Sequence, residues 1–251
     1  MNTGLRRQWF EEFRQYWEDV LDGRPLTVLD FHNLRFDYRR RHQNVEQMAW
    51  PDQEHHIANW QSPPNLYQTF DSVYRTALHP MWHGRLLRKH LRRGFRVLEY
   101  GCGVAPMYRT WRTFLSATSS RWVLADIASF SFHYARHTLG RDAEAELLVI
   151  DDFSEPLRSD AGGFDLIVVQ TVFEHLDRPR HIAEYLVDRL KPGGLLWFAY
   201  IRSAGVGLDT PSSLSERRAT LEYLGEHLAM IHGELRIDDA SLGTCIGRKV
   251  D

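Results

Sequence analysis

Hydrophobic positions follow a helical rhythm at the start of the chain. They recur from Leu5 through Trp9 and Phe13 to Val20, and Asp22 and Gly23 end the run. This spacing predicts an amphipathic helix. Residues 24–64 show no clear period, and the segment is rich in His, Arg and aromatic residues. After the break at 62–65, aromatic and aliphatic residues from Tyr67 to Trp82 again indicate helix.

From Phe95 onward the rhythm changes to short apolar runs that alternate with helical segments. Each run is rich in Val, Ile or Leu, as expected for strands that are covered on both faces. Helical segments follow the first and fourth runs, and Pro106 suits the first turn of one of them. The strands are predicted at Arg96–Tyr100, Trp122–Asp126, Glu146–Ile150, Phe164–Gln170 and Gly194–Ala199.

This alternation predicts an α/β fold with right-handed crossovers. We expect a Rossmann-like open sheet, mostly parallel, with helices on both faces and a helical N-terminal cap. Residues 212–233 are predicted to form one more helix, and the tail after it has room for an antiparallel strand pair. The predicted division is a cap or lid at 1–92 and a ligand-binding domain at 93–251.

Composition narrows the class of protein. Of the 251 residues, 43% are hydrophobic and 25% are charged, as is ordinary for a soluble globular enzyme. The formal net charge of −2 provides no field that attracts nucleic acid or an anionic membrane. Two cysteines make no disulfide framework, and the first residues lack the apolar core of a secretory signal. A cytoplasmic protein without a membrane segment is expected, as a monomer or an oligomer.

The turn after the first strand, EYGCGVAP, indicates a ligand site. Gly101 and Gly103 allow a tight bend and a close approach of the backbone to a ligand. A dinucleotide fingerprint needs a third glycine where this chain has Pro106, and a pyrophosphate has little reason to lie beside Glu99. A carboxylate there suits a ligand with a positive group, such as S-adenosylmethionine, which carries an ammonium and a sulfonium.

Five segments in order, VLEYGCG, VLADI, LLVIDDF, FDLIVVQTVFEHL and LKPGGLLWF, resemble the signature segments of class I S-adenosylmethionine-dependent methyltransferases. The likeness runs from Arg96 to Ala199. It is to the broad group described simply as methyltransferase domain proteins, whose substrates are diverse. The resemblance implies S-adenosyl-L-methionine as cofactor and S-adenosyl-L-homocysteine as its product.

The resemblance also implies roles for residues at the strand ends. The methionine end of the cofactor should lie against Glu99 and the backbone of Tyr100, Gly101 and Gly103, with Gln170 beside it. Cofactor contacts are further implied for Asp126 with both ribose hydroxyls, for Ile127 with the adenine face, and for Asp151, Asp152 and Phe153 around the adenine edge. One of Asp151 and Asp152 should accept from the adenine amino group, and the sequence leaves open which one.

Candidate catalytic residues follow the fourth and fifth strands. His175 and Glu174 lie in QTVFEHLDRP, where His175 could take a proton from a hydroxyl or an amine near neutral pH. It could equally pack against its loop or contact the cofactor. Tyr200 could orient an acceptor or simply cover the core. Methyl transfer itself depends mainly on alignment of the acceptor, methyl and sulfur.

The N-terminal aromatics suggest a lid over the cofactor. In the family, helices before the first strand commonly take this place, and Tyr67 or Tyr74 is expected to face the cofactor. Aromatic walls would exclude water and attract the sulfonium. The run Glu54 to His56 lacks recognised zinc spacing, so no metal site is predicted.

The predicted function is transfer of a methyl group from S-adenosylmethionine to an oxygen or nitrogen of a small molecule. No PPY sequence follows the fourth strand, which disfavours a nucleic-acid acceptor. Two alternatives stay open at this point: a methyltransferase that acts on RNA or protein, and a cofactor-binding scaffold without turnover.

Overall fold

A computed structural model describes residues 3–42, 53–61, 66–76, 78–154, 156–157, 163–202, 209–238 and 241–250. The side chains of residues 3–7, 38–42, 53 and 67 lie outside this description. Within these ranges, five α-helices precede the first strand: α1 Thr3–Asp19, α2 Val28–His42, α3 Gln53–Trp60, α4 Leu66–Thr76 and α5 His79–His90. The segment 24–64, which was expected to be irregular, therefore contains α2 and α3.

The strands and the later helices alternate as the hydrophobic pattern predicts, except that no helix stands between β3 and β4 or between β6 and β7 in the described residues. The strands are β1 Arg96–Tyr100, β2 Arg121–Asp126, β3 Ala145–Val149, β4 Phe164–Val169, β5 Leu190–Tyr200, β6 Leu228–His232 and β7 Leu242–Lys249. The α-helices between them are α6 Pro106–Phe114, α7 Phe130–Leu139, α8 Pro179–Asp188 and α9 Pro211–His227. Short 3₁₀ helices occur at Ser116–Thr118 and Phe173–His175. The first strand was predicted with its observed bounds.

The sheet has seven strands in the order β3-β2-β1-β4-β5-β7-β6. β1 pairs in parallel with β2 on one side and with β4 on the other, and β5 pairs antiparallel with β7. The predicted fold class is confirmed: a Rossmann-like, mostly parallel sheet with antiparallel C-terminal strands. Because chain order reverses between β1 and β4, a crevice for ligands is expected at the carboxyl ends of these two strands.

Apolar side chains fill both faces of the sheet. One face packs against α8 and α9 through residues such as Ile182 and Leu221. The other packs against α5, α6 and α7, with Trp111, Trp122 and Trp197 in its core. Because helices cover both faces of the sheet, side chains on either side of a central strand are buried. This burial explains the near-continuous apolar runs of β1 and β4.

A third, aromatic core joins α1, α2 and α4 to the rest of the molecule. It contains Phe13, Phe31 and Phe70, together with Val104 from the β1–α6 turn and Tyr134 from α7. The aromatic rings meet mostly edge to face or tilted, at centroid distances such as 4.9 Å between Phe13 and Phe70. Many of the N-terminal aromatics therefore build the interface between the first helices and the sheet domain.

Polar contacts reinforce this interface at Arg109 of α6. Its guanidinium contacts the Glu12 carboxylate of α1, donates to the Thr138 hydroxyl at 2.5 Å and donates from Nε to the Val104 carbonyl at 2.7 Å. Tyr134 also donates to Glu12, at 2.7 Å. One side chain thus connects α1, α7 and the turn after β1.

In the described part of the chain, no helix combines the length and the apolar character that are needed to cross a membrane.

Candidate functional site

The turn after β1 has a backbone that favours glycine. Gly101 and Gly103 have φ values of +65° and +53°, in the left-handed region. A Cβ on Gly101 would lie 2.4 Å from Cγ2 of Val172, which follows β4. The amides of Gly101 and Cys102 donate to the Ala125 carbonyl of β2 at 2.8 and 3.1 Å. The turn is therefore fitted tightly against the ends of two neighbouring strands.

Glu99 caps helix α6 from the end of β1. Its two carboxylate oxygens accept hydrogen bonds from the backbone N–H groups of Met107 and Tyr108, at 3.0 and 2.9 Å. Only 3% of the residue is exposed, and burial raises the pKa of Glu99 to about 7, although both amide bonds favour the ionised form. The free amides at the start of α6 are thus satisfied by a carboxylate of the chain itself.

Asp126 lies opposite, at the end of β2. Its carboxylate accepts from the N–H of Gly103 and, at 2.7 Å, from the N–H of Ile127. Burial raises the pKa of Asp126 to about 6. Asp126 and Glu99 repel each other's ionised forms, so the glycine turn lies between two carboxyl groups. A ligand with positive charge suits this arrangement.

The three residues after β3 form the neighbouring wall. Asp151 is exposed, whereas Asp152 accepts from the N–H and the hydroxyl of Ser154 at 2.9 and 2.5 Å. Phe153 is half-buried against the core. The structure places both aspartates and Phe153 beyond the same strand, and the choice between Asp151 and Asp152 as the adenine partner stays a prediction.

Gln170 and Tyr100 contribute polar atoms at the ends of β4 and β1. The Gln170 Nε2 and the Tyr100 hydroxyl are buried, and neither has a hydrogen-bond partner among the described residues. Burial also raises the pKa of Tyr100. A buried amide group without a partner is uncommon in folded proteins and suggests a ligand or water at this position.

Glu174 is a buried acid in the 3₁₀ helix after β4. Its carboxyl accepts from its own N–H and from that of Ile201, and its Oε2 has no hydrogen-bond partner among the described residues. Burial raises the pKa of Glu174 to about 8, and the charge of Asp209 adds to the shift. The side chain is therefore mainly protonated at neutral pH.

His175 contacts helix α3 of the N-terminal part. Its ring lies 6.0 Å from that of His56 and 5.3 Å from that of Trp60, measured between centroids. Trp60 Nε1 donates to His56 Nε2 at 3.0 Å, and burial lowers the pKa of His56 to about 3. His56 is therefore neutral with its proton on Nδ1. This contact was not predicted from the sequence, although His56 and Trp60 stand one helical turn apart.

Tyr200 and Tyr74 are engaged elsewhere. Tyr200 donates its hydroxyl hydrogen to the Ser213 carbonyl at 2.5 Å. The Tyr74 ring packs 5.8 Å from Trp9 and lies under the Arg35 guanidinium at 4.4 Å. The side chain of Tyr67 lies outside the described residues. Roles for Tyr200, Tyr74 and Tyr67 at the crevice stay predictions.

Among the described residues, no group of three or more His, Cys, Asp or Glu side chains is placed to hold a metal ion.

Comparison with known proteins places these strands in a known fold. Residues 98–196 match the family model described as a methyltransferase domain. A search of curated proteins by sequence gives no match.

Several solved structures are similar over most of the chain. The CurJ carbon methyltransferase is 14% identical with a TM-score of 0.52, and the match covers 98% of this chain and 81% of that one. An O-methyltransferase family protein from Burkholderia thailandensis is also 14% identical, with a TM-score of 0.50 and coverage of 89% and 71%.

A third similar structure is a complex between the Haloferax volcanii Trm112 methyltransferase activator and a protein described as a methyltransferase. The match is 19% identical with a TM-score of 0.53, and it covers 78% of this chain and 98% of the matched chain. At these identities the likeness is one of fold.

Proposed function

We propose that the chain transfers a methyl group from S-adenosylmethionine to an oxygen or nitrogen of a small molecule. The match of residues 98–196 to the methyltransferase domain model and the mostly parallel, Rossmann-like sheet support this proposal. The cofactor and the class of acceptor are both part of this proposal.

The capping of α6 by Glu99 is the observation that carries the proposal. In a dinucleotide-binding turn, the helix N-terminus is open to a pyrophosphate. Here two amides of that terminus already bond a buried carboxylate. A phosphate would meet a negative charge, whereas an ammonium or a sulfonium would be attracted. The residues present thus fit S-adenosylmethionine better than a nicotinamide dinucleotide.

Other residues of the crevice fit the same ligand. In the proposal, Asp126 accepts hydrogen bonds from the ribose hydroxyls, and Ile127 packs against the adenine. Gln170 has a buried amide group without a partner among the described residues, which would serve the methionine end. One of Asp151 and Asp152 bonds the adenine amino group. Tyr100, Gly101 and Gly103 supply backbone contacts.

When bound, S-adenosylmethionine supplies a methyl group on a positively charged sulfur. The chain's own contribution is to bind and orient, because a displacement of this kind needs an aligned acceptor more than a covalent enzyme intermediate. His175 is proposed to take a proton from a hydroxyl or amine. His56 and Trp60 lie against His175. In the proposal, the aromatic N-terminal helices limit access of water to the crevice.

Calorimetry with S-adenosylhomocysteine tests the cofactor assignment. The wild-type protein should bind this nucleoside and should not bind NAD. Asp126→Ala should weaken binding by about tenfold or more, because a hydrogen bond to a charged group contributes about 1.5–3 kcal/mol. Asp188→Ala, at the exposed end of α8, is the matched control. Equal affinity in a folded Asp126→Ala protein would contradict the ribose assignment.

Turnover separates an enzyme from a cofactor-binding scaffold. Radiolabelled S-adenosylmethionine is incubated with a library of small hydroxyl and amine compounds, and transfer of label is measured. His175→Ala should lower turnover more than it lowers cofactor affinity. If the protein binds the cofactor and transfers label to RNA or protein but to none of the small compounds, that result would contradict a small-molecule acceptor and favour a macromolecular one.

A further inference from the structure

Three buried polar atoms without partners among the described residues lie where α5 packs on β5, and a fourth belongs to the residue that follows the neighbouring strand β4. They belong to two imidazoles, an indole and an amide: His79 Nδ1, His83 Nδ1, Trp197 Nε1 and Gln170 Nε2. None of the four has a hydrogen-bond partner among the described residues. The rings touch in sequence, with centroids 4.5 Å apart for His79 and His83 and 5.7 Å apart for His83 and Trp197. We call this set the histidine corner.

The register of the sheet places the histidine corner at the crevice. Trp197 of β5 pairs with Val168 of β4. Gln170 follows Val168 by two residues, so it lies on the same face and nearer the carboxyl end. Helix α5 packs on this face and leads directly into β1, so it runs opposite to the parallel strands. Its first residue, His79, therefore lies towards the carboxyl ends.

The chemistry of the histidine corner selects its ligand. An indole N–H and an amide NH₂ can only donate, so the ligand must present an acceptor oxygen or nitrogen. Burial lowers the pKa of His79 to about 3 and also lowers that of His83, so both imidazoles are neutral. A neutral imidazole nitrogen can accept a hydrogen bond. An ammonium group has no acceptor lone pair, and it would leave the indole and the amide unsatisfied.

We propose that the histidine corner binds a hydroxyl group of the methyl acceptor. The hydroxyl oxygen accepts from Trp197 Nε1 and from one N–H of the Gln170 amide, whose other N–H is left for the methionine end of the cofactor. The hydroxyl hydrogen is donated to an imidazole of His79 or His83. This site rests on the proposed methyltransferase function, since it takes the bound compound to be the acceptor. It makes the enzyme selective for a hydroxylated compound.

The indole N–H signal of Trp197 gives a direct test by NMR. The chain has eight tryptophans, and comparison with Trp197→Phe assigns the signal. Phenol is added to the full-length protein saturated with S-adenosylhomocysteine, with toluene as the matched ligand without a hydroxyl. Phenol should shift the Trp197 signal and toluene should not. An unmoved signal at saturating phenol, or equal shifts with both compounds, would overturn the proposal.

Trp122 provides a matched control for the variants. It is as buried as Trp197, its Nε1 also has no partner among the described residues, and it packs against Tyr108 and Trp111, away from the histidine corner. Trp197→Phe and His83→Phe should weaken phenol binding by about fivefold or more. Trp122→Phe should leave it unchanged.

Binding of S-adenosylhomocysteine, measured on the same samples, keeps the two proposals apart. Normal binding of this nucleoside with no effect of Trp197→Phe or His83→Phe on phenol affinity would show that the corner is only a ring cluster. If the wild-type protein does not bind S-adenosylhomocysteine at all, the proposed function itself is contradicted.

Discussion

Replacement of Glu174 by glutamine should stabilise the protein, and by an amount that grows with pH. Glutamine has the shape of the protonated acid, and its oxygen can still accept from the N–H of Ile201. Glu174 is 3% exposed, and burial raises its pKa from 4.5 to about 8. A raised carboxyl pKa means that the folded state holds a proton which the unfolded state releases. The favourable contribution is complete below the unfolded pKa and is lost as pH rises towards 8.

The magnitude follows from this shift. Between the two pKa values, the wild type should lose about 1.4 kcal/mol of unfolding free energy per pH unit relative to Glu174→Gln. From about pH 5.5 to about pH 7.0 the gap between the two proteins should therefore widen by about 2 kcal/mol. Above the folded pKa the gap should stop growing.

Urea unfolding, followed by circular dichroism at several pH values, measures this gap. Glu226→Gln, on the exposed side of α9, controls for the loss of one carboxylate. A gap between Glu174→Gln and the wild type that stays constant from acid to alkaline pH would refute the reasoning, because it would show that Glu174 has the same pKa in both states.

Three further changes give sharp expectations. Gly101→Ala should cost several kcal/mol of unfolding free energy in a thermal or urea melt, since the new Cβ would meet Val172 at 2.4 Å on a backbone with φ of +65°; a loss of under about 1 kcal/mol would contradict the packing. Glu12→Gln should loosen α1, seen as faster proteolysis of the N-terminal helices with the sheet domain intact, and unchanged cleavage would show that the contact with Arg109 contributes little. Trp60→Phe removes the donor to His56 and should change the NMR shifts of the His175 ring. Unchanged shifts would contradict the contact between α3 and the 3₁₀ helix after β4.

The sequence predicts the sheet well because its signal is local. Buried parallel strands are short and apolar, and β1 was predicted with its observed ends. The helix after it begins at Pro106, as expected. Strand β5 is longer than predicted, from Leu190 rather than Gly194, because Leu190 already pairs with Phe164 of β4, before an irregularity that ends at the pair Leu166 and Leu195.

Two segments were assigned the wrong secondary structure, because their conformation depends on how they pack in the folded protein. Residues 228–232 continue the apolar spacing of α9 and were predicted as helix, yet they form β6, which pairs antiparallel with β7. Pairing with a neighbouring strand outweighs local propensity there. Helix α2 was missed because its apolar residues do not all face inwards: Phe31 is buried, while Leu29 and Phe36 are exposed. When apolar residues lie on both the buried and the exposed side of a helix, the sequence shows no clear helical periodicity.

The sequence predicted that the candidate site residues stand at strand ends, while the roles of these residues stay predictions. Glu99, Asp126 and Gln170 lie at the carboxyl edge because the register of a parallel sheet brings such positions together. Contacts between distant segments have no such signature. His56 meets His175 across more than a hundred residues, and His83 meets Trp197 across a similar span. Only the packing of α3 and α5 reveals these pairs.

Arg109 connects the first helix to the loop at which a ligand is expected. The same guanidinium contacts Glu12 and donates to the Val104 carbonyl in the loop that follows the two glycines. A ligand that binds this loop more tightly while α1 is docked must, by thermodynamic reciprocity, hold α1 in place by the same factor. Ligand binding in the crevice and docking of α1 on the sheet domain would then be thermodynamically coupled, so that each favours the other.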